Sequence, residues 1–164
     1  MLSGMAVASG PRWPDGLVEL YRAERTKLVR AAFLICGSVA AAEDAVHDAL
    51  PRVATRWDSV ENGRAYLYTA VVNAARDAAR RSRRSVSFGE TGPVSDDPAQ
   101  LSEESMHLQR TLAKLPERQR TAIVLRYFAD WNDDEIAQQL GARLPTVRSL
   151  IHRGVARMRE EMER

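Results

Sequence analysis

A stretch near the C-terminus, residues 131–158, constrains the fold more than any other part of the chain. It reads WNDDEIAQQLGARLPTVRSLIHRGVARM and places Gly141 between two segments of helical spacing. Asn132 is a good N-cap residue, and Glu135 three positions later completes a capping-box-like pair. After the glycine, apolar residues recur at helical spacing, namely Leu144, Val147, Leu150, Ile151 and Val155. The stretch therefore predicts a short helix, a tight turn and a second helix.

The second of these helices carries polar and basic side chains beside its apolar ones. They are Arg148, Ser149, His152 and Arg153. Arginine can pair bidentately with guanine, and arginine and serine both reach phosphate. A short helix, a turn and a basic second helix form the helix-turn-helix pattern, whose second helix enters the DNA major groove. The alternative interpretation is a solvated helix face. The turn itself is unusual, since Arg143 is a poor N-cap, although Pro145 suits a first helical turn.

The composition of the 164 residues indicates a folded protein, with 45% hydrophobic and 28% charged residues. The net charge of +2 is a weak argument for nucleic-acid binding. Cys36 is the single cysteine, so no intrachain disulfide can form, and its apolar surroundings predict a buried thiol. No apolar run reaches the roughly 20 residues of a membrane span, and the N-terminus is not a convincing signal peptide. We expect a cytoplasmic protein.

The first half of the chain predicts three long helices after a flexible N-terminal tail at residues 1–14. The first helix runs from about residue 17 to residue 36, with Gly37 as its stop and Ser38 as the N-cap of the next. The second covers roughly residues 39–57. Because Pro51 falls inside it, this helix is either bent near residues 47–50 or split into two pieces.

A polar loop at residues 58–63 precedes the third helix, which Asn62 can cap. This helix reaches about residue 83, with an apolar side and a strongly basic C-terminal half. Its apolar side comprises Tyr66, Leu67, Ala70, Val71, Ala74, Ala75 and Ala78. Its basic residues, with their neighbour beyond the helix, are Arg76, Arg80, Arg81, Arg83 and Arg84. Such a cationic helix end suits both the helix dipole and contact with phosphates.

The composition changes abruptly after these arginines. Residues 85–105 are rich in Gly, Pro, Asp and Glu and contain no Lys or Arg, which predicts a flexible acidic linker. Helical spacing returns at residues 106–164, with an interruption at Pro116. We therefore predict an all-α fold of two small helical modules, at residues 15–84 and 106–164. The second module contains the helix-turn-helix.

Three segments in this order resemble a known family. LPERQRTAIVLRYFADWNDDEIAQQLG and PTVRSLIHRGVARMRE look like region 4 of bacterial RNA polymerase sigma factors of the extracytoplasmic-function group. AAEDAVHDAL looks like region 2.2 of that group, and NGRAYLYTAVVNAARDAARR looks like its regions 2.3 and 2.4. The resemblance covers both modules, and a linker between them is typical of the group.

The resemblance implies a role for each module. The region 2.2 helix would bind core RNA polymerase through Glu43, Asp44, His47, Asp48 and Arg52. The minus-ten promoter element would contact Asp58, Asn62, Tyr68, Asn73, Arg76 and Arg80. The minus-thirty-five element would be read as duplex by Thr146, Arg148, Ser149, His152 and Arg153. Tyr66 and Tyr68 are candidates for base stacking, although core packing is favoured for Tyr66. Factors of this group are often held by an anti-sigma protein.

Departures from the family pattern are found in both modules. Pro51 stands at a usually apolar position, and His47 replaces a common glutamine. Thr69 and Val72 occupy positions that are often basic. These substitutions bear on polymerase contact and on the strength of minus-ten binding, respectively.

The sequence offers little support for other classes of function. Glu43 and His47 are four residues apart, but the three histidines are spread over both modules and no metal-ligand motif occurs, so we expect neither metal nor cofactor. No nucleophile elbow or phosphate-binding glycine loop argues for an enzyme. One rival is a one-component DNA-binding regulator that does not bind polymerase. A second is a helical interaction protein that does not bind DNA.

Overall fold

The computed structural model of the chain describes residues 12–87 and 102–164. Over these residues the structure contains seven α-helices, one short 3₁₀ helix and no strand. The α-helices are α1 Asp15–Cys36, α2 Val39–Arg56, α3 Gly63–Ser87, α4 Glu103–Ala113, α5 Glu117–Phe128, α6 Asp133–Leu140 and α7 Leu144–Met162. The 3₁₀ helix, Trp57–Ser59, follows α2. The all-α prediction is confirmed, and no helix in the described part is long and apolar enough to cross a membrane.

The predicted helix ends of the first module are confirmed by their capping contacts. Gly37 ends α1 with a φ of 83°, in the left-handed region that glycine adopts without steric cost. The side chain of Ser38 accepts a hydrogen bond from the Ala41 amide at 3.2 Å. The Asn62 side chain accepts one from the Ala65 amide at 3.1 Å. Each contact satisfies an amide at a helix start that has no partner within the helix.

Pro51 lies inside one continuous helix, α2, so the split-helix alternative is wrong. The proline lacks the N–H that would have bonded to the carbonyl of His47. Both residues are exposed, and water can therefore satisfy the free carbonyl. The predicted loop at residues 58–63 is likewise partly helical, because the 3₁₀ helix occupies its start.

The predicted linker at residues 85–105 is too long at both ends. Helix α3 extends to Ser87, and α4 begins at Glu103 after an N-cap at Ser102, whose side chain accepts from the Ser105 amide at 3.2 Å. The acidic residues at the start of α4 favour that helix terminus rather than a linker, since carboxylates stabilise helix N-termini. The remainder of the predicted linker, residues 88–101, and tail residues 1–11 lie outside the described residues.

Both modules pack against α1. Helices α2 and α3 of the first module contact it, and so do α4 and α5 of the second. Helix α7 packs on α4, α5 and α6. Buried apolar side chains of both modules form one hydrophobic cluster that runs through α1. The described chain is therefore a single packed body in which α1 is the shared central helix.

Candidate nucleic-acid interface

The helix-turn-helix has the local geometry that residues 131–158 predict. Asn132 caps α6 by accepting from the Glu135 amide at 2.9 Å. Gly141 ends α6 with a φ of 58°. Arg143 provides no side-chain cap for α7, and Pro145 lies in its first turn, as expected. The turn is therefore fixed by the glycine and the proline rather than by a cap at Arg143.

Helix α7 is seated on α5 through a close approach at Gly154. Gly154 is buried, and a Cβ atom at this position would collide with the side chain of Ile123 on α5. The glycine lowers helix propensity but lets the two helices approach closely. Val147 is fully buried on the same side of α7. The close approach fixes which side of α7 faces away from the module.

The outward side of α7 carries the five residues predicted for duplex recognition, which we call the α7 outer face. They are Thr146, Arg148, Ser149, His152 and Arg153. Four of them are exposed, and Ser149 is half-buried. The structure thus places all five on one helix, with most of their polar groups open to solvent.

Asp133, which lies outside the predicted site, forms an ion pair with Arg148 of this face. Asp133 accepts a hydrogen bond from Arg126 at 3.0 Å, and its second oxygen lies 3.6 Å from Nε of Arg148. Beside this cluster lies Tyr127, which is 56% exposed. Sequence reasoning missed these three neighbours because they come from α5 and α6, and their spacing does not show that they meet α7.

A second cationic surface, the α3 basic face, consists of Asn73, Arg76 and Arg80. These residues occur at i, i+3 and i+7 and therefore share one side of α3. In contrast with the α7 outer face, they are paired with the second module. Arg76 and Arg80 both form ion pairs with Glu117 of α5, the latter at 3.7 Å. The Gln139 amide of α6 donates to Asn73 at 2.6 Å.

Glu117 is ionised in this setting. Burial raises the pKa of its carboxyl group, but the hydrogen bond from Arg76 and the charges of Arg76 and Arg80 lower it. The balance leaves the pKa below its ordinary value. The side chains of Arg76 and Glu117 are only 12% and 14% exposed, so water screens this pair less than a surface pair.

Tyr68 is not available for base stacking in this structure, contrary to the expectation for that residue. Its residue exposure is 1%, and its hydroxyl donates to Glu24 at 2.7 Å. The Arg64 guanidinium lies 4.9 Å from the centre of its ring. Burial and the hydrogen bond to Glu24 raise the pKa of Tyr68, while the same bond, with the charge of Arg64, lowers the pKa of Glu24.

The buried side of α3 is rotated by about one residue from the predicted one. The buried residues are Leu67, Tyr68, Val71, Val72, Ala75 and Ala79. Tyr66, Ala70, Ala74 and Ala78, which were predicted to lie on the apolar side, are only partly buried. Tyrosine and valine bury more apolar area than alanine, so the core is built on the larger side chains.

The remaining predicted minus-ten residues lie near the start of α3. Asp58 is exposed in the 3₁₀ helix, and the Asn62 side chain is occupied by its capping bond. About 27 Å of helix separates Asn62 from Arg80 at 1.5 Å per residue. The six predicted residues are therefore not one cluster. The three of the α3 basic face lie together, Asp58 and Asn62 lie apart from them, and Tyr68 is buried.

The residues predicted for polymerase binding lie along α2, on what we call the α2 polar face. They are Glu43, Asp44, His47, Asp48 and Arg52, and all but Glu43 are exposed. Asp44, Asp48 and Arg52 line a groove of about 130 Å³ between α2 and α3. Helix α2 makes its main contacts with α1 and α3, and Glu43 also lines a pocket with Ser102 and Ser105 at the start of the second module. Within the described residues, no group of three or more His, Cys, Asp or Glu side chains could hold a metal ion.

Comparison with known proteins gives matches for both modules. Residues 20–85 match the family described as sigma-70 region 2, and residues 105–158 match sigma-70, region 4. The RNA polymerase sigma-E factor of Streptomyces coelicolor is 31% identical over 149 residues, covering 88% of this chain and 84% of the relative. The ECF RNA polymerase sigma factor SigW of Bacillus subtilis is 26% identical, covering 90% and 89%.

Solved structures share the fold over nearly the whole chain. The sigma factor RpoE from Bartonella quintana, in complex with the anti-sigma factor NepR, matches with a TM-score of 0.69 and 24% identity, over 90% of this chain and 94% of that one. CnrH in complex with the cytosolic domain of CnrY matches with a TM-score of 0.70 and 22% identity, over 99% and 95%.

Proposed function

The chain belongs to the sigma-70 family of RNA polymerase sigma factors, in its extracytoplasmic-function group, and from this premise we propose how it grips polymerase and promoter. The family matches make it a polymerase-binding sigma factor that acts in transcription initiation, rather than a one-component regulator. A regulator that reads DNA alone has no need of a region 2 module. The match to sigma-70, region 4 likewise disfavours a helical protein that does not bind DNA.

We assign the two modules to α1–α3 and α4–α7, with a tail before them and a linker between them; the predicted bounds, residues 15–84 and 106–164, are extended to the end of α3 and the start of α4. The first module contacts polymerase through the α2 polar face and takes the minus-ten element along α3, from Asp58 and Asn62 to the α3 basic face. The second reads the minus-thirty-five element with the α7 outer face. The observation that best supports this division is the exposure of cationic side chains on α7, beside a buried side that fixes its orientation.

The chemistry of nucleic acids accounts for the different residues on the two helices. Duplex DNA offers base edges in the major groove, which arginine, serine and histidine side chains on an inserted helix can reach. An opened strand offers phosphates at intervals along its length, which suit the spaced arginines of α3. The bond-forming reaction belongs to the polymerase, and we propose that this chain supplies no catalytic residue. We place it in the cytoplasm with the polymerase and DNA.

An anti-sigma protein is a further proposed partner. One structure that shares the fold, RpoE with NepR, is a complex of a sigma factor with an anti-sigma factor. This chain has the same two-module fold, and its α2 polar face and α7 outer face are open to such a partner.

Binding to purified core polymerase tests the assignment of the α2 polar face. The full chain is expected to form a one-to-one complex on size exclusion. Reversing two charges, Asp44→Lys with Asp48→Lys, is expected to weaken the complex about tenfold or more, since like-charge contact at an interface costs several kcal/mol. Glu19→Lys, an exposed charge reversal on α1, is the control and should bind as wild type. Equal binding by wild type and both variants would show that the α2 polar face does not contact polymerase.

A further inference from the structure

Asp133 is the first residue of α6 and lies at the edge of the α7 outer face. Its Oδ1 accepts a hydrogen bond from Nη1 of Arg126 at 3.0 Å, and its Oδ2 lies 3.6 Å from Nε of Arg148. These three side chains line a cleft of about 300 Å³ between α5, α6 and α7. The carboxylate therefore links arginines of two other helices beside the surface that is proposed to read duplex DNA.

The main chain at Asp133 is held in place by the two residues before it. Asn132 caps α6 through its hydrogen bond from the Glu135 amide. Trp131 is 5% exposed, and its amide donates to the Leu125 carbonyl at 2.9 Å. A carboxylate at a helix N-terminus is also stabilised by the helix dipole. Asp133 therefore presents its charge from a fixed position, whereas a long arginine side chain has many rotamers of its own.

The contact with Asp133 leaves the end of the Arg148 side chain open. This side chain is 69% exposed, and its ion pair with Asp133 is formed at Nε. Asp133 is its single ion-pair partner among the residues that the structure describes. A guanidinium held at Nε keeps both terminal nitrogens for O6 and N7 of guanine, the bidentate pairing that distinguishes this base. Since an exposed ion pair adds little to folding stability, the main consequence of the contact is the orientation of Arg148.

The orientation of Arg148 matters because of its place on the helix. It is the fifth residue of α7, and the N-terminal residues of a recognition helix are those that reach base edges. Phosphates line the same groove and attract arginine whatever the sequence. An unanchored Arg148 is free to turn to a phosphate when the facing base offers no matching acceptors, and binding would then not depend on the base. A carboxylate at Nε opposes that movement, because the ion pair would be lost.

We propose that Asp133 is a positioning residue for duplex recognition, which holds Arg148 toward a guanine of the minus-thirty-five element and away from phosphate. This inference rests on the proposed role of the α7 outer face. Selectivity is a difference between two binding free energies, and here it arises because a site without the guanine loses the Arg148 contact. With Arg126 as the second arginine on the carboxylate, the cluster stays cationic toward DNA.

The test measures base preference rather than affinity alone. Core polymerase loaded with the full chain binds a pool of promoter fragments in which the minus-thirty-five element is randomised. The fragments derive from a promoter that is first identified by transcription of genomic DNA. Sequencing of the bound fragments gives the preference at each position. Wild type is expected to prefer guanine about tenfold at one position, and Arg148→Ala should remove the preference there.

Asp133→Asn removes the charge that holds Arg148 but keeps the shape of the side chain. The guanine preference should fall about threefold or more, at the position that depends on Arg148. Asp134→Asn is the matched control, since Asp134 is the next residue of the same helical turn and is exposed. Both variants remove one negative charge near DNA and therefore strengthen sequence-independent binding alike. Thermal unfolding of each variant confirms that it is folded.

A double variant separates failure of this inference from failure of the proposed function. In an Arg148→Ala background, Asp133→Asn should have no further effect on base preference. A persisting effect, or equal preferences in Asp133→Asn and Asp134→Asn, would overturn the positioning role while Arg148 keeps its reading role. If Arg148→Ala leaves every preference unchanged, the proposed reading by Arg148 is wrong, and the inference that depends on it is wrong as well.

Discussion

The two helices assigned to DNA carry similar cationic groups but differ in what those groups contact. On α7 the outer face points into solvent, and only Arg148 has an acidic partner, Asp133 of its own module, among the contacts described. On α3 the basic face is paired across the module boundary with Glu117 and Gln139. The α7 outer face is thus mostly unpaired, whereas Arg76 of the α3 basic face is ion-paired and only 12% exposed.

This difference matches the state of the DNA that each helix is proposed to read. Duplex in the upstream element exists before polymerase arrives, so an exposed α7 can take part in the first encounter. Single strand in the minus-ten element exists only after opening.

The largest effect is expected from breaking the contact that holds the modules together. Arg120→Leu removes the donor to four backbone carbonyls, three of the second module and Ile35 of α1. Buried carbonyls without partners should lower the free energy of unfolding by about 3 kcal/mol. Chemical denaturation measures this loss.

Arg118→Leu is the control for that experiment. Arg118 is an exposed neighbour that donates to one carbonyl, Leu140, at 3.3 Å. Its loss should cost about 1 kcal/mol or less. If the two variants lose similar stability, Arg120 is not the residue that joins the modules.

A smaller effect is expected from a substitution on the α7 outer face. Arg153→Ala should weaken binding to upstream duplex about tenfold, the loss of a base or phosphate contact, with polymerase binding unchanged. Fluorescence anisotropy over a range of salt concentrations measures it. Arg22→Ala on α1 removes an exposed charge of the first module and should have little effect. Unchanged affinity for both variants would contradict the role of the α7 outer face.

The smallest effect concerns the buried side of α3. Tyr68→Phe removes the hydrogen bond to Glu24 and should cost about 1 kcal/mol of unfolding free energy. The pKa of Glu24 is lowered in the folded state, so its contribution is present above its ordinary pKa and is lost as pH falls through the folded value. The difference between wild type and variant should therefore shrink on acidification. If Tyr68 instead stacks on bases, Tyr68→Phe would leave stability unchanged.

Sequence predicts the features that depend on neighbours along the chain. Ser38, Asn62 and Asn132 cap helices as expected, and Gly37 and Gly141 end them, because caps and left-handed turns are set within four or five residues. The order of the two modules and the residues of α7 follow from the same local patterns.

What sequence does not predict are contacts between distant segments. Arg120 and Ile35 are 85 positions apart, and Glu117 and Arg76 are 41 apart, so no periodicity links them. The rotation of α3 that buries Tyr68 likewise depends on how much area each side chain can bury against α1 and α2. One signal was present in the sequence, since the run Ala-Ala-Phe-Leu-Ile is apolar on every side of a helix and requires a second covering surface.

The most direct test of the proposed binding of two promoter elements by α3 and α7 is transcription by core polymerase with this chain. Fragments of its own genome are transcribed first to find a promoter. That promoter is then transcribed with either the minus-ten or the minus-thirty-five element scrambled. Arg153→Ala should reduce initiation about tenfold on the intact promoter and cause no further loss when the upstream element is scrambled. Arg80→Ala should behave in the same way toward the minus-ten element. Losses that are independent of which element is present would contradict the assignment of the two helices.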